Sequence, residues 1–269
     1  MIKKKINRLI TLFKLLILKI IDFLFLIFGK KGYLDTPNGR LYLNENDPTS
    51  TRIILGSFER KETEILLYFS RKEDCFVDVG CNIGFYSFLL SSKVSNVFSI
   101  DPFNRNLEKL SKTISYNKIR NINLIEAAAS SGNNQRDFLF CKYSGLSHIK
   151  PYKFTKNQEI SKYEKKINTF KIDDLELDQD LIFKIDVEGY EMEVLKGMKK
   201  TLESQKIRLI MIELYDDYLR RYNSSISELD LFLNSYGYFR IEKQIIYNKL
   251  VKFPIHNNYF YSNNKNNYI

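Results

Sequence analysis

A glycine-containing turn is the first feature of the sequence with the spacing of a ligand site. The apolar run Cys75 to Val79 leads into Gly80 and Gly84, and a helix is predicted to start directly afterwards. Glycines let the backbone approach a ligand closely, and a helix start offers free N–H groups. The spacing is G-x-x-x-G, without the close first pair of the dinucleotide fingerprint, which disfavours a dehydrogenase. A tight turn without a ligand is the alternative interpretation.

An acidic residue follows at the end of the next apolar run. Asp101 comes after Asn96 to Ile100, about 20 residues beyond the glycine turn, and Pro102 ends the strand. A carboxylate at this position can accept hydrogen bonds from both hydroxyls of a ribose. It could instead favour the start of the predicted helix Asn104 to Asn117. The turn and Asp101 together favour an adenosine-bearing ligand at the carboxyl ends of the strands.

Three further carboxylates are predicted to reach the same cleft. Asp186 and Glu188 follow an apolar strand, and Glu213 ends another. In an open α/β sheet the carboxyl ends of the strands line the ligand crevice. These groups could stabilise a cationic ligand, position an acceptor hydroxyl or act as a general base. Glu188 and Glu191 could also simply favour a helix N-terminus, and for Glu191 we prefer that interpretation.

A histidine offers a second kind of base. His148 ends the segment Ser144 to His148, and the pKa of an imidazole suits proton transfer at neutral pH. An exposed loop histidine is the alternative. The basic run Lys142 to Lys171 could meet an acidic acceptor, although a solvated loop surface is the simpler interpretation. Only one other histidine, His256, is present, so no histidine-built metal site is indicated and we assign no metal ligands.

The elements that must position these residues alternate between short apolar runs and helical stretches. Such alternation predicts βαβ units and a mostly parallel sheet with right-handed crossovers. The predicted strands are Arg40 to Leu43, Cys75 to Val79, Asn96 to Ile100, Ile122 to Ala127, Leu181 to Ile185, Leu209 to Glu213, Tyr238 to Glu242 and Asn258 to Tyr261. The predicted helices are Glu59 to Ser70, Phe85 to Ser92, Asn104 to Asn117, Glu188 to Ser204 and Ser225 to Tyr236.

Several of these blocks together resemble the FkbM-type methyltransferases. The resemblance covers roughly residues 55 to 262, and its most specific block runs from Lys184 to Glu191. Two departures are small: the family more often has Glu where Asp101 stands, and Ala where Cys81 stands. The blocks that carry the resemblance are Val77 to Gly84, Asp101-Pro102, Ile172 to Leu175, Lys184 to Glu191, Val194 to Gly197 and Ile212-Glu213.

The resemblance implies a Rossmann-like class I methyltransferase fold, with a mostly parallel seven-stranded sheet and helices on both faces. It implies S-adenosylmethionine as cofactor and O-methylation of a hydroxyl on a small molecule, sugar, glycan or lipid-linked saccharide. The residues expected to bind the cofactor are Asp78, Gly80, Asn82, Gly84, Asp101 and Ala128. The expected catalytic residues are Asp186, Glu188, Glu213 and His148.

Two other functions are weighed against this one. An NAD-dependent sugar oxidoreductase or epimerase would need G-x-G-x-x-G and a Tyr-x-x-x-Lys pair on a plausible helix. The sequence has no G-x-G-x-x-G, and no predicted helix contains both residues of such a pair. A membrane-anchored, catalytically inactive Rossmann adaptor would not need Gly80, Gly84 and Asp101 to be intact.

The first 31 residues are apolar and basic. They hold eight Lys or Arg and one Asp, so most of the chain's net charge of +10 lies there, and the remainder does not argue for nucleic acid. Their polar residues fall on one side of a helix, which predicts an amphipathic helix lying in a membrane interface. A spanning helix and a helix packed on the domain or a dimer partner are the alternatives.

We therefore expect a cytoplasmic protein, peripheral on the cytoplasmic face of the inner membrane. The methyl donor is cytosolic, and three cysteines without a CxxC pair fit a reducing compartment. The expected segments are the basic helix 1–31, a lead-in strand and helix 32–70, the methyltransferase domain 71–262 and a polar tail 263–269.

Overall fold

A computed structural model describes residues 32–141, 143–151 and 161–263. The predicted N-terminal helix and most of the predicted polar tail lie outside these residues. The strands are β1 (Tyr33–Thr36), β2 (Gly39–Tyr42), β3 (Cys75–Val79), β4 (Asn96–Ile100), β5 (Ile122–Ile125), β6 (Ala128–Ala129), β7 (Gln135–Cys141), β8 (His148–Ile149), β9 (Ser161–Phe170), β10 (Leu181–Ile185), β11 (Ile207–Glu213), β12 (Phe239–Arg240), β13 (Lys243–Ile246), β14 (Lys249–Lys252) and β15 (Asn258–Ser262). The helices are α1 (Pro48–Ile54), α2 (Arg60–Phe69), α3 (Phe85–Leu90), α4 (Asn104–Asn117), α5 (Glu191–Lys196), α6 (Lys199–Glu203), α7 (Asp216–Leu219) and α8 (Ile226–Ser235).

A seven-stranded sheet forms the centre of the fold, in the order β12-β15-β11-β10-β3-β4-β5. Strands β11, β10, β3, β4 and β5 run parallel to one another. Strand β15 is antiparallel to both β11 and β12. This confirms the expected Rossmann-like sheet. The register pairs Ile185 with both Val79 and Ile212, and Val79 with Ile100. The carboxyl ends of four strands are therefore level, which brings the residues that follow them to one edge.

Helices cover both faces of this sheet. Successive side chains of a strand point to opposite faces, so Val77 and Val79 join one core cluster and Phe76 joins the other. The first cluster takes in apolar residues of α5, α6 and α8, and the second takes in residues of α2 and α3. This alternation of buried strands and apolar helix faces is the pattern that predicted the fold.

A second sheet is inserted between β5 and β10, in the order β6-β9-β7-β8. Its centre is the antiparallel pair of β7 and β9. No pattern in the sequence predicted this sheet. A solvated loop was expected from Lys142 to Lys171, and this expectation is wrong for residues 161–170, which form β9. Five of the residues from Tyr163 to Phe170 are exposed, and three consecutive charged residues interrupt the strand at 164–166, so no apolar periodicity marked it.

Smaller differences affect the helices. Helix α1 was missed, and the predicted helix Glu188 to Ser204 is two short helices, α5 and α6. Among the described residues, no helix combines the length and the apolar character needed to cross a bilayer.

Candidate active site

The turn after β3 is packed so tightly that it needs glycine. Gly80 has a φ of +79°, and a Cβ there would lie 1.9 Å from the backbone oxygen of Asp186. The N–H groups of Gly80 and Cys81 both donate to the carbonyl oxygen of Ile100, at 2.9 and 3.0 Å. The turn therefore joins the ends of β3, β4 and β10. Gly84 allows close packing against α4, since a Cβ at this position would lie 2.5 Å from the side chain of Leu110.

A cavity of about 300 Å³ opens at this edge of the sheet. Aromatic and small apolar side chains form much of its wall, and the lead-in segment contributes Pro48, Thr49, Arg52, Phe58 and Glu59. Of the ten predicted site residues, the structure brings eight together around it: Gly80, Asn82, Asp101, Ala128, His148, Asp186, Glu188 and Glu213.

The other two predicted residues, Asp78 and Gly84, lie behind the cavity wall. Asp78 is buried, and its Oδ2 accepts hydrogen bonds from the backbone N–H and hydroxyl of Ser87, at 3.1 and 2.6 Å. This carboxylate fixes the first turn of α3. A cofactor contact by either residue stays a prediction.

Asp101 is a buried carboxylate that the turn already holds. Its Oδ2 accepts from the N–H of Asn82 at 2.8 Å, and its Oδ1 accepts from Phe103 N–H at 2.8 Å and Asn106 Nδ2 at 3.3 Å. A carboxylate offers about four acceptor sites, so about one remains for a ligand. Burial raises the pKa of Asp101 to about 7, against the opposing effect of these hydrogen bonds.

Asn82 links the turn to the inserted sheet. Its backbone is left-handed, with a φ of 51°, and its side-chain oxygen lies 3.0 Å from the hydroxyl of Ser144. The N–H of Ser144 donates to Asp47 Oδ2 at 3.0 Å. Asp47 also caps α1 by accepting from the N–H of Thr49 at 2.9 Å. The lead-in segment, the glycine turn and the Ser144 loop thus form one connected wall.

Three carboxylates that border the cavity lie close together. Asp186, Glu188 and Glu213 each present an oxygen within 4.8 Å of the others, and the three could hold a metal ion. Burial and the charges of Asp186 and Glu188 raise the pKa of Glu213 to about 10. Burial and the charge of Asp186 likewise raise the pKa of Glu188 well above its usual value. Like charges this close cannot all ionise at neutral pH, so the cluster holds at least one proton.

A buried lysine partly balances these carboxylates. Lys184 Nζ lies 2.8 Å from Asp186 Oδ2, with only 5% of the side chain exposed. Burial lowers the pKa of Lys184, but neighbouring carboxylates outweigh this effect and raise the pKa above its usual value. These carboxylates are Asp186, Glu59 and Asp78.

Glu59 extends this network to the start of α2. It accepts a hydrogen bond from the hydroxyl of Tyr86 at 2.6 Å, and both residues line the cavity. Burial raises the pKa of Glu59 in spite of the positive charge of Lys184. The residues predicted for the site from the sequence did not include Lys184, Glu59 or Tyr86. The ion pair could have been predicted from the sequence. Lys184 interrupts an apolar strand two residues before Asp186, and alternate residues of a strand share a face.

His148 is buried, with 7% of its surface exposed, so the alternative of an exposed loop histidine is wrong. Its Nδ1 lies 2.8 Å from the carbonyl oxygen of Leu146. A carbonyl only accepts, so Nδ1 carries the proton and the neutral ring keeps its lone pair on Nε2. Burial lowers the pKa of His148 below its usual value, and Nε2 has no hydrogen-bond partner among the described residues. Less than 1 Å² of Nε2 is accessible, so the ring can take a proton from a group in the cavity only when its surroundings shift.

Glu191 takes the structural role that we preferred for it. Its Oε1 accepts from the N–H groups of Val187 and Gly189, at 3.2 and 3.1 Å, at the start of α5. It does not border the cavity.

The chain matches known methyltransferases in sequence. The family model described as methyltransferase FkbM domain matches residues 78–239. The hexuronic acid methyltransferase AglP of Haloferax volcanii is 28% identical over 161 residues, covering 58% of this chain and 62% of that protein. The chain thus spans less than two thirds of the length of this relative.

Solved structures give weaker likenesses. Methyltransferase FkbM from Methylobacillus flagellatus has a TM-score of 0.47 at 19% identity, over 74% of this chain and 47% of that chain. A putative methyltransferase from Streptococcus mutans, in complex with SAH, has a TM-score of 0.42 at 13% identity, over 76% of this chain and 96% of that chain.

Proposed function

We propose that this chain, which belongs to the methyltransferase FkbM domain family, methylates an oxygen of a saccharide with S-adenosylmethionine as donor. The observation that carries the proposal is the shared cavity. A glycine turn, Asp101, His148 and three carboxylates all border it. These are the parts needed to hold a donor and to remove a proton from an acceptor.

The residues present fit this donor. Gly80 leaves the turn without a side chain where the ends of β3 and β10 meet, and Asp101 keeps about one acceptor site for a hydroxyl. The cavity falls at the lower end of the size range of about 300 to 1,000 Å³ that small-molecule sites occupy. When bound, S-adenosylmethionine supplies an electrophilic methyl group on a positively charged sulfur. The carboxylate cluster is a suitable neighbour for that charge.

Two groups in the cavity can take the acceptor proton. His148 is neutral at physiological pH and has a free Nε2. Asp186, held by Lys184, is the alternative, with Glu188 and Glu213 beside it. A general base of either kind contributes about 10²- to 10⁴-fold to a rate. Most of the remaining catalysis comes from holding the acceptor oxygen in line with the transferred group.

A saccharide acceptor is supported by two observations. The relative from Haloferax volcanii carries the name of a hexuronic acid methyltransferase. The cavity is lined by aromatic rings and by several groups that hydrogen-bond, a combination that can orient a polar ring with apolar faces. The rings belong to Phe58, Phe85, Tyr86, Phe138, Tyr143 and Tyr190.

We also propose that residues 1–31 hold the protein at the cytoplasmic face of the membrane. The amphipathic pattern of their sequence and their eight basic residues support this, because a helix with that pattern would bind anionic lipid surfaces.

Calorimetry and labelled methyl transfer test the proposal. We expect heat on binding of S-adenosylhomocysteine and none with NAD. Label from S-adenosylmethionine should enter a uronic acid glycoside or a neutral saccharide, which distinguishes a carboxylate from a hydroxyl acceptor. Binding of NAD without S-adenosylhomocysteine would support the oxidoreductase instead. Binding of the donor product without transfer to any envelope extract would support the inactive adaptor.

A further inference from the structure

Exposed apolar side chains are concentrated on the hairpin of β13 and β14. Among the described residues, ten large apolar side chains are well exposed, and four of them lie together here. These four are Tyr68, Ile245, Tyr247 and Leu250, with between 42% and 61% of their surface exposed. The rings of Tyr68 and Tyr247 touch, with centroids 5.1 Å apart. The hairpin and the end of α2 therefore share one apolar patch.

The hairpin register separates this patch from the core. Ile245 pairs with Leu250, and Lys243 pairs with Lys252, so these four side chains share the outer face. The inner face carries Ile246, which is buried in the core cluster with α2. The two turn residues between the strands both have positive φ, the backbone that suits a two-residue hairpin. Because Ile246 packs in the core, the opposite face of the hairpin points away from the protein.

The charged residues of the hairpin itself are all basic, and the nearest acidic residues in sequence are Glu242, directly before it, and Glu64, one helical turn before Tyr68. Residues 243–252 contain Lys243, Lys249 and Lys252 and no acidic residue. Two copies of this face placed together would bring lysines against lysines, which opposes self-association. An apolar tip that carries tyrosine and is rimmed by lysines matches the interfacial region of a bilayer with anionic headgroups.

We propose that the outer face of this hairpin inserts into the headgroup region of an anionic lipid bilayer. The apolar side chains of Ile245, Tyr247 and Leu250 enter the interface, and Lys243 and Lys252, which share the outer face, contact the lipid phosphates. This contact is independent of the methyl-transfer proposal. It is also independent of residues 1–31, since it rests on the hairpin alone.

The chain contains no tryptophan, so a single one reports on its own surroundings. Leu250→Trp places the reporter in the patch. Leu231→Trp is the matched control, because Leu231 is 70% exposed on α8, which packs on the opposite face of the sheet. Both full-length variants are mixed with vesicles of phosphatidylglycerol and phosphatidylcholine, or of phosphatidylcholine alone, with and without brominated acyl chains.

We expect the emission of the Leu250→Trp chain to shift to the blue and to be quenched by brominated lipid on the anionic vesicles. The Leu231→Trp chain should show neither change, even though residues 1–31 are present in both. Adding Lys243→Gln, Lys249→Gln and Lys252→Gln to the Leu250→Trp chain should raise the lipid concentration for half-maximal shift by about tenfold or more.

Three results would overturn the proposal. The first is an unchanged spectrum of the Leu250→Trp chain on anionic vesicles. The second is equal quenching of the two reporters. The third is a blue shift that grows with protein concentration in the absence of vesicles, which would identify a second copy as the partner of the patch.

Discussion

The glycine turn and the carboxylate cluster face the same cavity, but they differ in how far their polar groups are satisfied. In the turn, the N–H groups of Gly80, Cys81 and Asn82 all have acceptors within the protein. In the cluster, mutual repulsion and burial raise the pKa values of Glu188 and Glu213. The N–H groups of the turn are therefore satisfied without a ligand, whereas the proposed donor would bring a positive charge to the cluster.

Gly80→Ala should damage the turn most. The new Cβ would meet the backbone oxygen of Asp186 at 1.9 Å, and the φ of +79° is unfavourable for alanine. We expect a loss of about 4 kcal/mol in the free energy of unfolding, measured by urea denaturation. Gly132→Ala is the control, because its nearest contact is an ordinary 3.5 Å and its φ is not positive. Equal effects of the two variants would show that the close approach of β3 and β10 does not constrain the turn.

Lys184→Met should lower the free energy of unfolding, measured by urea denaturation at neutral pH, by about 3 kcal/mol. The reason is that the substitution leaves buried carboxylates without their ammonium partner. Lys196→Met removes an exposed ion pair with Glu193 and should cost less than about 1 kcal/mol. A Lys184 effect as small as this control would contradict the role given to the ion pair.

His148→Ala distinguishes the two candidate bases. If His148 removes the acceptor proton, kcat should fall about 100-fold. The rise of kcat with pH through a pKa below the usual histidine value should also disappear, because burial lowers that pKa in the folded protein. The affinity for S-adenosylhomocysteine should change little. A variant that keeps both kcat and the pH profile would leave Asp186 as the base.

Asp101 should make donor binding depend on pH. Its pKa of about 7 means that the carboxylate gains its charge between pH 6 and pH 8. The ionised form accepts hydrogen bonds, so the affinity for S-adenosylhomocysteine should rise about tenfold over this range. Asp101→Asn should abolish the dependence and bind weakly throughout. An affinity that falls with increasing pH, or an unchanged profile in the variant, would show that Asp101 does not contact the ligand.

The sequence was sufficient for the central sheet because local patterns specify it. Runs such as Leu181 to Ile185 are continuously apolar, and the residues after them reach one edge whenever parallel strands are level. The positions of Gly80, Asp186 and Glu213 around one cavity follow from that rule alone. His148 also reaches this cavity, but its burial depends on the inserted sheet, which the sequence did not reveal.

The cavity wall formed by the lead-in segment depends on contacts that are distant in sequence. Asp47 and Ser144 are 97 residues apart, and no periodicity links them. A local signal for α1 did exist, because Asp47 before Pro48 has the residue types of a helix start. The protonation of the cluster was equally out of reach, since it depends on how closely Glu188 and Glu213 approach in space.

Proton release on donor binding tests directly whether a cation completes the cluster. Calorimetry of the full chain at pH 8, in two buffers that differ in their heat of ionisation, gives the number of protons exchanged. Binding of the cationic S-adenosylmethionine should release about one proton more than binding of neutral S-adenosylhomocysteine, because the positive charge lowers the pKa of Glu213 or Glu188. Equal proton release for the two ligands, or binding of neither, would contradict a methyl-donor site beside this cluster.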